Sequence, residues 1–234
     1  MKIQRVPHSW SVTPAQAIAI QHQLAARVVR RGRVPTPRLV AGADLAFSTD
    51  GKECIAGVVV WDVLRREIVE QRIARRSVQF PYVPGLLTFR EAPALLAALR
   101  QLHFEPDVFM FDGQGYAHPR RFGLACHMGV LLDRPSVGCA KTILIGQCIP
   151  PDQQRGAAGD LIHNGERVGM AIRTRERVKP LYVSIGHRIS LSSAVRVVLA
   201  CCNGFRLPEP TRLADKLVRK EQGQALPPPA ALVE

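Results

Sequence analysis

The sequence predicts one α/β domain built on a single mixed sheet, antiparallel on one side and parallel towards the middle. Three observations predict it. Three strand-like runs follow one another between residues 39 and 75, joined by links short enough to force antiparallel neighbours. The run Val108-Phe109-Met110-Phe111 is apolar on both faces, as a buried parallel strand requires. Helix-like and strand-like segments then alternate, which places helices on the faces of a sheet. The 234 residues, 47% of them hydrophobic, suit one sizeable domain with a full core.

The elements follow in order. Thr13-Pro14 reads as a helix N-cap with proline at the first helical position. Ala17, Ile20, Leu24 and Val28 recur behind it at helical spacing, and the segment ends in the basic cluster Arg27, Arg30, Arg31 and Arg33. Residues 39–47, 54–61 and 67–75 are the three strands, and Asp50-Gly51 marks a turn between the first two. Pro81-Tyr82-Val83-Pro84-Gly85 forms a rigid loop. A helix carrying Leu95, Leu96, Leu99 and Leu102 follows. Thr88-Phe89-Arg90-Glu91 matches a capping box, yet Pro93 disfavours a helix already under way at Thr88, so its start is expected near Arg90. The buried strand 108–111 breaks at Gly113-Gln114-Gly115. A helix over 124–132 and a strand over 135–140 come next. Residues 150–160 read as a polar loop. Strands over 168–173 and 181–185 and helices over 190–202 and 212–222 complete the chain, and the proline-rich tail 226–234 reads as disordered. A meander feeding a βαβ-type half fits an RNase H-like core, one of several α/β folds with this strand pattern.

Charge narrows the partner. Lys plus Arg outnumber Asp plus Glu by 32 to 19, a formal net charge of +13, and 26 of the 32 are arginine. Such an excess favours a polyanion, and the guanidinium fork matches phosphate oxygens. An Arg-rich genome is the competing account of the arginine bias. No apolar run reaches membrane-spanning length, and the N-terminus shows no secretory h-region. The six cysteines form no Cys-x-x-Cys pair, so reduced thiols in a cytoplasmic protein are expected rather than zinc or a disulfide framework.

The carboxylates carry the chemistry. Asp44 interrupts an apolar strand, and Asp112 ends the buried one before a glycine-rich loop. A carboxylate beside a buried apolar run is costly unless its charge is compensated, and a hard divalent cation with oxygen ligands is one compensation. Asp112-Gly113 as a simple turn and Asp44 as a strand-end residue are the alternatives. Asp215 sits on the last helix among Arg212, Lys216 and Arg219, which alone would be a solvated face.

Eight short segments stand together in the order found in endonuclease V. They are Val40-Ala41-Gly42-Ala43-Asp44, Pro81-Tyr82-Val83-Pro84-Gly85, Phe89-Arg90-Glu91, Asp112-Gly113-Gln114-Gly115, His118-Pro119-Arg120-Arg121, Gly138-Cys139-Ala140-Lys141, Gly186-His187-Arg188 and the run from Arg206 to Arg212. The chain resembles that family from about Thr13 to Lys220, nearly its whole length. The resemblance implies an RNase H-like single domain and Mg²⁺ as cofactor, with Mn²⁺ able to substitute. It implies a nick at the second phosphodiester bond 3′ to hypoxanthine, leaving 3′-hydroxyl and 5′-phosphate ends and initiating DNA repair. It places Asp44, Glu91 and Asp112 at the acidic catalytic positions and Asp215 at a fourth, with Asp44 and Asp112 as principal metal ligands. His118 and Lys141 fall at further site positions, and Tyr82 at the wedge. Two departures stand out: Gln114 where many relatives have His, and Thr142 where a second Lys is common.

With the chemistry read alongside, Lys141 would neutralise charge developing on the phosphate. His118 would orient the phosphate or relay a proton, or else serve as a loop histidine beside Pro119. Tyr82 would fill the gap left by a flipped base, or else be a core tyrosine. The flipped base would enter a pocket near Gly85, Leu87, Gly113 and Gly115, and Arg120 and Arg121, with Arg188 and Arg212, would contact the nucleic-acid backbone. The organisation expected is an N-terminal helix and basic linker over 1–35 packed on a catalytic domain over 36–225. The expected partner is inosine-containing nucleic acid, DNA in preference to RNA, with the protein monomeric and off the membrane. Another RNase H-like nuclease would share the carboxylates but not the Pro-Tyr-Val-Pro loop. A non-catalytic binding protein would have no use for four acidic positions facing phosphate.

Overall fold

A computed structural model describes residues 1–223 except 2 and 4, so the tail expected to be disordered lies outside the described residues. The chain begins with α1 (Pro14–Ala25), whose N-terminus is closed by a capping box: Gln16 N donates to Thr13 Oγ1 and Thr13 N to Gln16 Oε1. The helix stops before Val28, three residues short of the sequence pattern. Arg27 N and Val28 N turn to carbonyls three residues back, tightening the last turn, and the basic cluster leaves as an extended linker.

The meander is β1 (Leu39–Phe47), β2 (Glu53–Asp62) and β3 (Glu67–Ser77), antiparallel throughout. Next come α2 (Leu87–Arg100), β4 (Val108–Phe111), α3 (Leu124–Leu132) and β5 (Ser136–Ala140). β4 runs parallel to both β1 and β5. The rest is β6 (Ala158–His163), β7 (Glu166–Ile172), β8 (Leu181–His187), α4 (Leu191–Ala200) and α5 (Glu209–Gly223). All eight strands form one sheet in the order β3-β2-β1-β4-β5-β8-β7-β6. The predicted mixed sheet flanked by helices is therefore present.

Alternation along the strands sorts the two faces. Ala41, Ala43, Phe109 and Phe111 point into a core shared with the leucines of α2 and with α3. Val40, Val108, Met110 and Val137 face the opposite core, which contains Val197 and Val198 of α4. α5 also crosses this second face. A Cβ on Gly42 would lie 2.0 Å from the Pro210 carbonyl carbon, so only glycine lets the start of α5 rest directly on β1.

Three expectations need correction. The helix carrying Glu91 starts at Leu87, not near Arg90, and no side chain caps it, so the capping box at Thr88 is absent. Pro93 lies inside it and forfeits one helical hydrogen bond. Burial of Phe89 and the run Ala94–Leu99 outweighs that loss. Second, part of the supposed polar loop is strand β6, closed onto β7 by the two-residue turn Asn164-Gly165. Both turn residues have positive φ, 54° and 76°, the conformation that Asn-Gly favours in tight hairpins. Third, the last helix begins at Glu209, ahead of the Arg212 expected, because Pro210 in its first turn has no backbone bond to lose.

Candidate active site

The three parallel strands end at one edge of the sheet, where open α/β sheets place their chemistry. The β1–β4 register runs from Val40 opposite Val108 to Ala43 opposite Phe111, and Asp112 N still donates to Ala43 O at 3.3 Å. One step on, Asp44 and Asp112 stand side by side. Both alternate away from the α2 core and towards the α5 face. Lys141 follows directly on β5, and its Nζ contacts Asp112 Oδ2. Glu91 reaches the same edge from the second turn of α2. Asp215, on α5, accepts on its Oδ1 from Arg219 Nε at 3.0 Å.

Electrostatics show how tightly these groups are gathered. Burial, then the charge of Asp112, pushes the Asp44 carboxyl up to about 7, against the pull of the Leu45 backbone N–H and of Lys141. Burial, then Asp44 and Asp112, pushes Glu91 up to about 8. For Lys141, burial disfavours the ammonium, but Asp112, Asp44 and Asp215 outweigh it and its pKa rises. The edge thus holds more negative charge than its own cations neutralise. Among the described residues no three His, Cys, Asp or Glu side chains close into a metal cage by themselves.

A cavity of about 160 Å³ opens beside the carboxylates, lined in part by Tyr82, Gly85, Leu87, Gly113 and Leu144, with Glu91 and Asp112 in its wall. That is far more than the roughly 30 Å³ share of one water. Tyr82 is 69% exposed at its rim, so it is not a core tyrosine. Gly115, expected in the pocket, lies behind it: a Cβ there would sit 2.1 Å from Ile185 O, so this glycine serves backbone packing against β8. Gly113 is different, since a Cβ would meet only Leu124, at 3.6 Å.

The loop carrying Tyr82 is pinned at its far end. Gly85 O accepts from Arg120 Nη2 at 2.7 Å, Gln21 Nε2 at 3.0 Å and His118 Nε2 at 3.0 Å. Gln21 also takes Arg120 Nε on its Oε1 at 2.5 Å. The sequence reading passed over Gln21, although a glutamine between Ala17 and Leu24 on the apolar face of α1 was a signal. His118 lines the cavity, but both ring nitrogens are engaged, Nδ1 accepting from Arg120 N at 3.3 Å. Burial, then the Arg120 cation, holds its pKa down to about 4, so it is neutral near pH 7. Arg121 is likewise committed inward, its Nε donating to Glu166 Oε2 at 2.9 Å. Arg188 forks onto Asp133 and Arg212 onto Glu209. The structure therefore gathers Asp44, Glu91, Asp112, Lys141 and Asp215 with the Tyr82 loop and Gly113, while these arginines hold the protein together.

The family profile described as Endonuclease V matches residues 22–216. The chain is 50% identical over 219 residues to Endonuclease V of Gloeobacter violaceus, covering 91% of this chain and 89% of that one. Its structure is similar to the crystal structure of Endonuclease V from Streptomyces avermitilis, with a TM-score of 0.89 and 42% identity, covering 94% of this chain and 98% of the other. It is also similar to Ciona intestinalis Endonuclease V in complex with a 24mer DNA containing an inosine followed by a ribo-adenosine. That match has a TM-score of 0.81 at 28% identity and covers 91% and 98% of the two chains.

Proposed function

The chain belongs to the endonuclease V family, and from that membership we propose that it nicks inosine-containing nucleic acid, DNA in preference to RNA, to begin repair of deaminated bases. The cut falls at the second phosphodiester bond 3′ to the hypoxanthine and leaves 3′-hydroxyl and 5′-phosphate ends. One observation carries the reading: Asp44 and Asp112 stand side by side at the ends of adjacent parallel strands, and Asp112 with Glu91 walls a cavity rimmed by an exposed tyrosine on a stiff loop.

The donor set fits a hard divalent cation, Mg²⁺ or Mn²⁺. It is all carboxylate oxygen, and the groups are so poorly neutralised that the Asp44 and Glu91 carboxyls are pushed up to about 7 and about 8. Asp44 and Asp112 would hold the ion, with Glu91 and Asp215 in support, and Mg²⁺ needs no complete protein cage because it keeps several waters. A bound ion would supply charge stabilisation to the phosphoryl oxygens and activation to the attacking water. Lys141 places its ammonium where charge develops on the phosphate. Tyr82 stacks into the gap left by the rotated base. Such stacking returns roughly 1–3 kcal/mol against a flipping cost of a few kcal/mol. The grip of Gln21, His118 and Arg120 on Gly85 keeps that loop in place, which assigns His118 to orienting the pocket wall, and Arg120 and Arg121 act near the strand through the surfaces they brace.

Residues 36–225 form the catalytic unit on this reading, with 1–35 packed on it. Buried Ala17 and Leu24 of α1 sit against Phe89 and Phe122. The protein acts as a monomer, because one chain holds every proposed site residue. The six free thiols suit the cytoplasm, and among the described residues no helix is long and apolar enough to cross a membrane.

Matched oligonucleotides with and without one inosine, in DNA and in RNA, test the proposal. A metal-dependent nick directly 3′ of the base's 3′ neighbour supports it, and uncut strands of both kinds reject it. The pocket has its own test. Gly113→Leu should slow nicking of inosine strands by about 10²-fold or more, as displacement of a reacting group does, with little change in melting temperature. Rates equal to wild type would remove Gly113 from the base pocket.

A further inference from the structure

Lys141 stands just past the end of β5, whose last ladder pair is Ala140 with Tyr182. Beyond it the backbone carbonyls have no strand to bond to. Two side chains from distant loops take them instead. Arg206, between α4 and α5, donates Nη2 to Lys141 O at 2.6 Å. Gln114, between β4 and α3, donates Nε2 to the next carbonyl, Thr142 O, at 2.9 Å.

Both donors are themselves fixed. The same Nη2 of Arg206 also reaches Pro180 O at 2.7 Å, and Arg206 O accepts from Thr174 Oγ1 at 2.6 Å. Gln114 lies in the tight loop behind Asp112, with Gly115 N donating to Ser184 Oγ at 2.9 Å. Each carries a second buried polar atom with no partner among the described residues, Arg206 Nε and Gln114 Oε1. Buried polar groups are ordinarily satisfied, yet each of these side chains leaves that atom bare while its terminal nitrogen is spent on the turn.

Resting on the assignment of Lys141 to the phosphate, we propose that Arg206 and Gln114 are positioning residues that fix the Lys141 backbone from both sides and so set its ammonium against Asp112. A lysine side chain is a flexible four-carbon stem. Where its charge spends its time depends on where its Cα is held and on what it contacts. The clamp settles the first, Asp112 the second. The sequence pattern at position 114 then has a use: glutamine supplies an amide donor long enough to reach Thr142 O.

The test uses Arg206→Lys, Gln114→Glu and the milder Gln114→Met, each made in the wild-type protein and in Lys141→Met. Single-turnover nicking and binding of an inosine-containing duplex oligonucleotide are measured, together with melting temperature. In the wild-type background the rate should fall by about 10- to 100-fold, the scale of a small misplacement, with binding unchanged within about two-fold. In Lys141→Met the same substitutions should change the rate by less than about two-fold, because residues acting through one group are not additive. Equal losses in both backgrounds, losses carried by binding, or no loss at all would overturn the clamp. If Arg206→Lys does not fold, Gln114→Met decides by the same comparison. A wild type that leaves inosine strands uncut sinks the functional reading and the clamp together. A wild type that cuts, with losses indifferent to Lys141, sinks the clamp alone.

Discussion

Replacing Asp112 by Asn should slow nicking of an inosine-containing strand by about 10³-fold, the scale of losing one electrostatic element of a preorganised site. Binding of the uncut strand should not weaken. Asparagine keeps the shape of aspartate and the backbone bond from residue 112 to Ala43 O, so β4 stays in register. It removes the charge that Lys141 contacts and that Asp44 and Glu91 both feel. Removing a negative charge beside an incoming phosphate favours binding, so the loss must appear in the chemical step. Single-turnover rates with excess enzyme, set beside fluorescence anisotropy, separate the two. A variant that still cuts within ten-fold of wild type, or one that fails only to bind, would take Asp112 out of the reaction.

The pair Asp44→Asn and Glu91→Gln should raise the melting temperature of the metal-free protein at pH 8 by at least about 4 °C. One kcal/mol is worth roughly 2–4 °C in a chain of this size. In the folded protein Asp44 titrates at about 7 and Glu91 at about 8, against 3.8 and 4.5 for the free groups. Between those limits the folded state binds more protons than the unfolded one. These two groups therefore cost stability as pH rises from about 4 to 8. The gap between variant and wild type should be widest near pH 8 and close towards pH 4. His118, with its pKa held down at about 4, has the opposite slope over part of this range, but it is common to both proteins and cancels in the difference. Added Mg²⁺ should raise the melting temperature of wild type and leave the double variant unmoved, since only a folded state that binds the ion gains from it. Equal melting temperatures across the whole range would mean that the carboxylates are not under mutual strain.

What the sequence made legible follows from what each segment encodes locally. β4 stood out because four apolar residues in a row have no amphipathic alternative, and the meander stood out because its links are short. β6 was hidden by the prolines and charges before it, although Asn164-Gly165 announced the hairpin. The start of α2 was misplaced because Pro93 argues locally, while the buried leucines that overrule it argue through the sheet. Asp44 and Asp112 stood out as charges beside apolar strands, whereas Glu91 and Asp215, on helices, had ordinary local readings as a capping residue and a solvated face. The arginines were not, because a sequence shows a guanidinium and hides its partner. Nothing in His118-Pro119-Arg120-Arg121 reveals that Gly85 and Glu166 have already claimed those donors. Gln21 and the contacts of Arg206 and Gln114 escaped for the same reason: their bonds span 26 to 101 residues of chain.

The strand order β3-β2-β1-β4-β5-β8-β7-β6 has a bearing on how the protein is made. Each outer flank is a run of sequence neighbours, β1 to β3 on one side and β6 to β8 on the other, and such local pairings form early and fast. The acidic residues are dispersed instead, with Asp44 in the first flank, Asp112 at the centre and Asp215 on the final helix. A chain still emerging from the ribosome can mature its first flank long before it owns all its carboxylates. A half-synthesised copy lacks Asp215, so the acidic cluster is among the last things the nascent protein completes.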